Sequence, residues 1–429
     1  MKKVFFIGDT SNRRNWGCRA TTLKLRELIG TAGHIQFTLD TSRPHAKLTP
    51  RLPYQSPISQ EETPRTLKAL VKATFRETIS PALIRLHPAS LERRSILIEH
   101  ARLQEFHKLA TLIGEGRIFR NIGDAMSSCD AVIINGEGSF MKNRTIGRFK
   151  LLLALAAKTQ FNKPVAIVNH SADVRHPAFG ALAEAIYPVI DDALFREHYS
   201  LDTTGKLRNG KPHGFAADSA FLYQPLDRET FARVSGRPDY YSIWPEDARS
   251  FDPTRPYICV GGSSVYLGQS AEFARLREAF EQLCLRLQRL APVVLTASSQ
   301  PDDALLRPVA AKLGLPFLGL STPVQQAVDV LGNAAAYVGG RWHPGIMALT
   351  GGTPIVSFSA NTDYKSDGLI NLAGLSQPRF PALRLGDDLD AIVDLTSQYL
   401  RDDGLRIRLG KAVSALRETC AENVRLLKN

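Results

Sequence analysis

The chain has 429 residues, more than one hydrophobic core usually serves, so two domains are expected. Its 44% apolar and 22% charged residues are those of a globular protein and exclude a disordered or fibrous class. A formal charge of +12 raises nucleic acid as a partner, but no basic–aromatic interleaving and no base-reading motif accompanies it, so none is expected.

The N-terminal "MKKVFFIGDTSNRRNWG" starts like a signal peptide, but its apolar run ends at Ile7 and reads as a first strand. No run approaches the roughly 18–20 apolar residues of a membrane span. Five scattered cysteines, without a CxxC pair or a histidine cluster, argue against a structural zinc or a disulfide framework. They suit a reducing compartment, and a cytoplasmic protein is expected.

Apolar strand candidates alternate with helical patterns. The first half offers "KVFFIG" (3–8), "HIQFTL" (34–39), "DAVIING" (130–136), "PVAIVNHS" (164–171) and "DDALFRE" (191–197), with helices over 20–33 and 148–161. Strands apolar throughout belong to a parallel sheet covered on both faces. Residues 42 to about 66 interrupt this rhythm with prolines, and basic helices are expected near 66–79 and 90–112. Residues 41–120 carry fourteen Lys and Arg against seven Asp and Glu, a local basic patch. It is either a solvated helical surface or a contact for anionic lipid or an acidic or lipid-linked substrate.

A proline-bearing stretch over 226–256 reads as a linker. The rhythm then restarts with "YICVGG" (257–262), a helix over 270–290, "PVVLTAS" (292–298), "AAYVGG" (335–340) and "TPIVSFS" (353–359), before terminal helices over 381–429. The expected architecture is α/β, with two Rossmann-like domains over 1–225 and 257–380 that carry parallel sheets and face a cleft. The second is the expected donor-binding domain.

Ligands of open parallel sheets bind beyond the carboxyl ends of strands, and unusual residues gather there. "GDTSNRRNWGCRATT" (8–22) offers Asn12 and Asn15 at a helix start, as ligand contacts or as an ordinary cap. It contains no GxGxxG, so no dinucleotide is expected. "NGEGSF" (135–140) sets Glu137 between glycines, as a general base, a hydroxyl ligand or part of a simple turn. "FREHYS" (195–200) brings Arg196 and Glu197, and "AADSAF" (216–221) brings Asp218; an Arg and an Asp there can equally pair with each other.

The densest group is "YVGGRWHPGIMALTGGTPIVSFSANTDYKSDGL" (337–369). Gly339 and Gly340 are expected to form the strand-to-helix turn, with Pro344 at the first position of the helix that follows. Arg341 and His343 leave it at the positive end of the helix dipole, a setting for a phosphate or carboxylate. Asp363 and Lys365 follow the next strand toward the same sheet edge.

In these residues the sequence resembles the polysaccharide pyruvyltransferase family. "GGRWHPG" is similar to its Gly-Arg-x-His segment, followed by a helix, a Gly-x-Pro turn and a downstream lysine. "NGEGSF", "FREHYS" and "AADSAF" resemble its Gly-rich loop, its Arg-acid-x-x-Ser element and its Asp-containing strand end. The chain departs at "NWGCRA", where Cys18 replaces an acid, and at "NGEG", where the family has three glycines.

The resemblance implies a GT-B-like transferase of cell-surface polysaccharide biosynthesis. It would move pyruvate from phosphoenolpyruvate onto two hydroxyls of a glycan or lipid-linked saccharide, as a ketal. It implies donor binding by Arg341, Arg196, His343, Lys365 and Gly340, and catalysis by His343, Arg341 and Glu137. Acceptor or loop contacts would fall to Asn12, Asn15 and Asp218. Neither a metal nor a cofactor is required. The basic segment would sit peripherally on the inner face of the membrane. Two rivals remain. One is a glycosyltransferase using a CMP-type sugar donor, for which Trp342 would suit the base. The other is a non-catalytic binder of acidic polymers.

Overall fold

The computed structural model describes residues 1–41, 98, 101–237, 240, 252–266, 269–360 and 362–428. The helix expected near 66–79 and most of the basic segment lie outside the described residues. The chain groups into two compact units. The first comprises 1–12, 25–218 and 421–429; the second comprises 13–24 and 219–420. The units therefore exchange chain, and within the expected linker Arg228–Ser235 is a helix of the second unit. Residues 238–239 and 241–251 lie outside the described residues.

The first unit holds a six-stranded parallel sheet in the order β2-β1-β3-β4-β5-β6. Its strands are β1 (Lys2–Ile7), β2 (Gly33–Leu39), β3 (Ala131–Phe140), β4 (Val165–Ala172), β5 (Asp192–Phe195) and β6 (His213–Phe215). Helix α1 (Trp16–Ala32) is shared between the units, its first half belonging to the second. The helices α2 (Leu103–Gly114), α3 (Arg120–Ser128), α4 (Thr145–Thr159) and α5 (Pro177–Ile186) pack on one face, against Phe5, Ile7, Val132, Ile134 and Ile167. The other face buries Val4, Phe6, Ile133 and Val168 with Leu25 and Ile29 of α1 and Leu427 near the C-terminus. Burial on both faces explains why these strands show no polar alternation.

Where the basic segment returns to this unit, buried Arg148 of α4 ties it down. Its guanidinium donates to the carbonyls of Ile98 (2.5 Å) and Ala101 and lies 5.4 Å from the Phe106 ring.

The second unit holds a five-stranded parallel sheet in the order β11-β10-β7-β8-β9. The strands are β7 (Ile258–Ser263), β8 (Val293–Thr296), β9 (Phe317–Leu318), β10 (Ala336–Gly340) and β11 (Ile355–Val356). The first unit adds a short helix after β5, α6 (His198–Thr204); the helices of the second unit include α7 (Arg228–Ser235), α8 (Phe273–Leu287), α9 (Gln300–Leu313), α10 (Val324–Asn333), α11 (Trp342–Leu349) and α12 (Asp363–Leu372). One sheet face packs Val260, Leu295 and Val338 against Phe280, Leu283 and Leu306. The other buries Cys259, Val294 and Tyr337. In each sheet the chain order reverses once, between β1 and β3 and between β7 and β10, and these reversals are where parallel sheets hold ligands.

Candidate functional site

At the β7/β10 reversal two Gly-Gly pairs end neighbouring strands, and each glycine is fixed by what lies against it. A Cβ on Gly261 or Gly339 would stand 2.6 or 2.5 Å from the Tyr337 hydroxyl. One on Gly262 would meet Asp302 Oδ1 at 2.1 Å, and one on Gly340 would meet Ser263 Oγ at 2.8 Å. Gly339 and Gly340 thus belong to β10 rather than to the turn, a correction to the expectation. Both positions are held to glycine by close packing. Burial, and then the Asp302 charge, pushes the Tyr337 hydroxyl far above its ordinary range, so it stays protonated.

Arg341 is the residue before α11, with extended backbone (φ −100°, ψ 126°), and His343 lies in the first turn. Arg341 donates Nε and Nη2 to Asp302 Oδ1 at 3.1 and 2.7 Å, and Nη2 also to Ser299 Oγ. Asp302 is fully buried on α9, and its Oδ2 accepts from Ser298 N (3.3 Å) and Oγ (3.1 Å). The Ser298 carbonyl accepts the N–H of Trp16 at 3.1 Å. That contact brings Gly17 against the imidazole: a Cβ there would lie 2.0 Å from His343 Nδ1. A continuous run of contacts therefore links Arg341, Asp302, Ser298, Trp16–Gly17 and His343.

Sequence reasoning missed Asp302, Ser298 and Ser299. "SSQPDD" (298–303) does signal a helix start, with proline and two acids in the first turn. Nothing in it separates Asp302 from Asp303, which pairs with Arg307 at 2.6 Å in an ordinary i,i+4 bridge. Asn15, expected as a ligand contact, caps α1 by accepting the Cys18 N–H at 3.1 Å. Lys365 lies in the first turn of α12, 8% exposed, with its N–H on the Thr362 carbonyl.

The β1/β3 reversal in the first unit carries a second polar group. Glu137 has a left-handed backbone (φ 46°), costly for a non-glycine residue, and accepts from Thr10 Oγ1 (2.6 Å) and Asn135 Nδ2 (3.2 Å). Buried Lys150 fixes the same loop through Asn135 O (2.6 Å) and Ser139 Oγ (2.8 Å). Gly136 makes room for His170, whose Cβ would lie 2.3 Å from an added methyl. Asn12, half-buried, follows β1 in this unit.

Arg196 and Asp218 require a correction. They are 2% and 0% exposed and paired at 2.7 Å, and Arg196 Nε also donates to Ser171 Oγ at 3.0 Å. A buried guanidinium spent on a buried carboxylate does not offer itself to a donor, nor does the carboxylate offer itself to an acceptor. The paired alternative holds. Glu197 likewise caps α6 through the Ser200 N–H (2.9 Å).

Among the described residues, no group of three or more His, Cys, Asp and Glu could hold a metal ion, and no helix is long and apolar enough to cross a membrane.

The chain is similar in fold to solved structures at low identity. The S. aureus MnaA–UDP structure aligns with a TM-score of 0.50 at 10% identity, covering 96% of this chain and 91% of that one. The trehalose-6-phosphate synthase OtsA aligns with a TM-score of 0.51 at 9% identity, covering 99% and 96%. Both are GT-B-type structures and speak for the fold alone. No curated protein sequence matches the chain. The family described as polysaccharide pyruvyl transferase matches residues 51–362, most of the 429-residue chain and all of the Arg341–His343 turn. The chain is a transferase and belongs to the polysaccharide pyruvyl transferase family.

Proposed function

We propose that the protein transfers pyruvate from phosphoenolpyruvate to two hydroxyls of one sugar in a cell-surface glycan. The observation that carries this reading is the Arg341 guanidinium. It is held from one side by Asp302 and Ser299, stands one residue before a helix N-terminus, and has His343 two residues on. A fixed cation at the positive end of a helix dipole suits an anionic donor that must be oriented as well as held.

The chemistry asks for an acid, a base and a place for phosphate. His343 serves as the acid that donates a proton to C3 of the enol phosphate, turning the methylene into a methyl and making C2 electrophilic. One sugar hydroxyl forms a C2–O bond and gives up its proton. The C2–O bond to phosphate then breaks, and the second hydroxyl forms the second C–O bond, its proton leaving with phosphate. Lys365 and the positive end of the α11 dipole favour the departing anion. Glu137 is proposed as the base for the hydroxyl. The membrane contact expected of the basic segment belongs to the same proposal.

Calorimetric titration with phosphoenolpyruvate, with CMP in parallel, tests the donor. Phosphoenolpyruvate should bind, and Arg341→Ala should weaken it on the order of a hundredfold, the worth of lost charge-assisted hydrogen bonds. Glu137→Gln should keep donor affinity and lose transfer. Binding of CMP instead would move the reading to a sugar-nucleotide donor.

A further inference from the structure

An arginine side chain carries five N–H donors in one plane. In Arg341 three are spent inside the protein: Nε on Asp302 Oδ1, and the two of Nη2 on Asp302 Oδ1 and Ser299 Oγ. The two on Nη1 have no hydrogen-bond partner among the described residues, and the side chain is 12% exposed. Asp302 is 0% exposed, so it cannot swing into water and release the fork. Its second oxygen is held by the Ser298 N–H and hydroxyl, which fixes the carboxylate itself.

Two consequences follow. The guanidinium plane is locked, and a ligand meets a single N–H edge. The cation is also already paired with a buried carboxylate. An anion on Nη1 therefore gains directed hydrogen bonds but little net Coulomb attraction, and it feels Asp302 behind the guanidinium. A dianion feels that repulsion twice, in a setting poorly screened by water. A monoanion such as a carboxylate feels that repulsion once and loses least.

We infer that Asp302 is a positioning residue that makes Arg341 a single-edged receptor for a carboxylate, so that the donor's carboxylate, and not its phosphate, lies on Nη1. This rests on the proposed phosphoenolpyruvate reading. It leaves the phosphate to other groups of the same turn and gives Ser298, through Trp16 and Gly17, a mechanical link from the carboxylate site to His343.

The test is competition on the full-length protein. Bound phosphoenolpyruvate is displaced with sodium pyruvate or with inorganic phosphate, in wild type, Asp302→Asn and Ser299→Ala. In wild type, pyruvate should displace the donor at lower concentration than phosphate. Asp302→Asn should shift this preference toward phosphate by about tenfold, the effect of removing one nearby charge. Ser299→Ala should weaken both competitors alike. A preference unchanged in Asp302→Asn, or a wild type that phosphate clears better than pyruvate, would overturn the inference. If thermal melting finds Asp302→Asn unfolded, the wild-type preference and the Ser299→Ala pair decide it. Donor binding that ignores Arg341→Ala sinks the donor reading itself; donor binding that needs Arg341 with a fixed preference sinks only the role of Asp302.

Discussion

Two arginine–aspartate pairs, one in each unit, have the same closest N···O distance of 2.7 Å and opposite consequences. In Arg196–Asp218 both side chains are inside, and the serine beside them takes another donor. In Arg341–Asp302 only the acid is fully inside, and the arginine keeps some exposure and its two Nη1 donors. The first pair can do little but hold β5 to the segment after β6. The second pair orients a cation and leaves part of it for a ligand. Pairing alone does not mark an arginine as structural; the depth of the arginine relative to its acid does.

The largest expected effect is on the inner pair. Arg196→Ala leaves Asp218 buried without its cation and should cost about 3–5 kcal/mol of stability, read by denaturant unfolding, while donor affinity changes little. A loss of donor affinity without a loss of stability would erase the distinction between the pairs.

Beside the same pair, the His170 carbonyl accepts the Arg196 N–H at 3.0 Å. Burial pushes the His170 imidazole down to about 3, with the Arg196 and Lys150 charges adding to it. An unfolded histidine binds its proton near pH 6.5 and the folded one does not. Stability should therefore be full above pH 6.5 and fall, by a few kcal/mol at most, as pH drops from 6.5 toward 3. His170→Gln should flatten that part of the profile in thermal melts.

The smallest effect concerns the outer pair's surroundings. Gly17→Ala places a methyl where the His343 ring lies. It should lower kcat by about tenfold, roughly 1–3 kcal/mol of overpacking, with donor affinity nearly kept because Arg341 is untouched. An unchanged kcat would remove His343 from the chemistry.

Most long strands were legible because apolar runs between breakers survive in any buried parallel sheet. β6 and β9 were not, since three and two residues carry no period. Arg341 and His343 were legible as charges where packing residues belong. The paired glycines were seen but misread, because a glycine that yields to Tyr337 or Asp302 looks in sequence like one that bends a turn. Asp302 was invisible for a related reason: its partner lies 39 residues away, and local spacing says nothing of such distances.

The exchange of chain between the units bears on how the protein can be divided. Severing the backbone between Asp218 and Ser219 would yield two pieces, neither of them whole. The C-terminal piece would lack residues 13–24, and with them the Trp16–Gly17 brace on His343. The N-terminal piece would lack Asn423, which bridges Asn169 and Ala217, and Arg425, which holds Asp192 at 2.7 Å. Fragments cut at the apparent domain boundary should thus be inert apart and regain function only on being mixed.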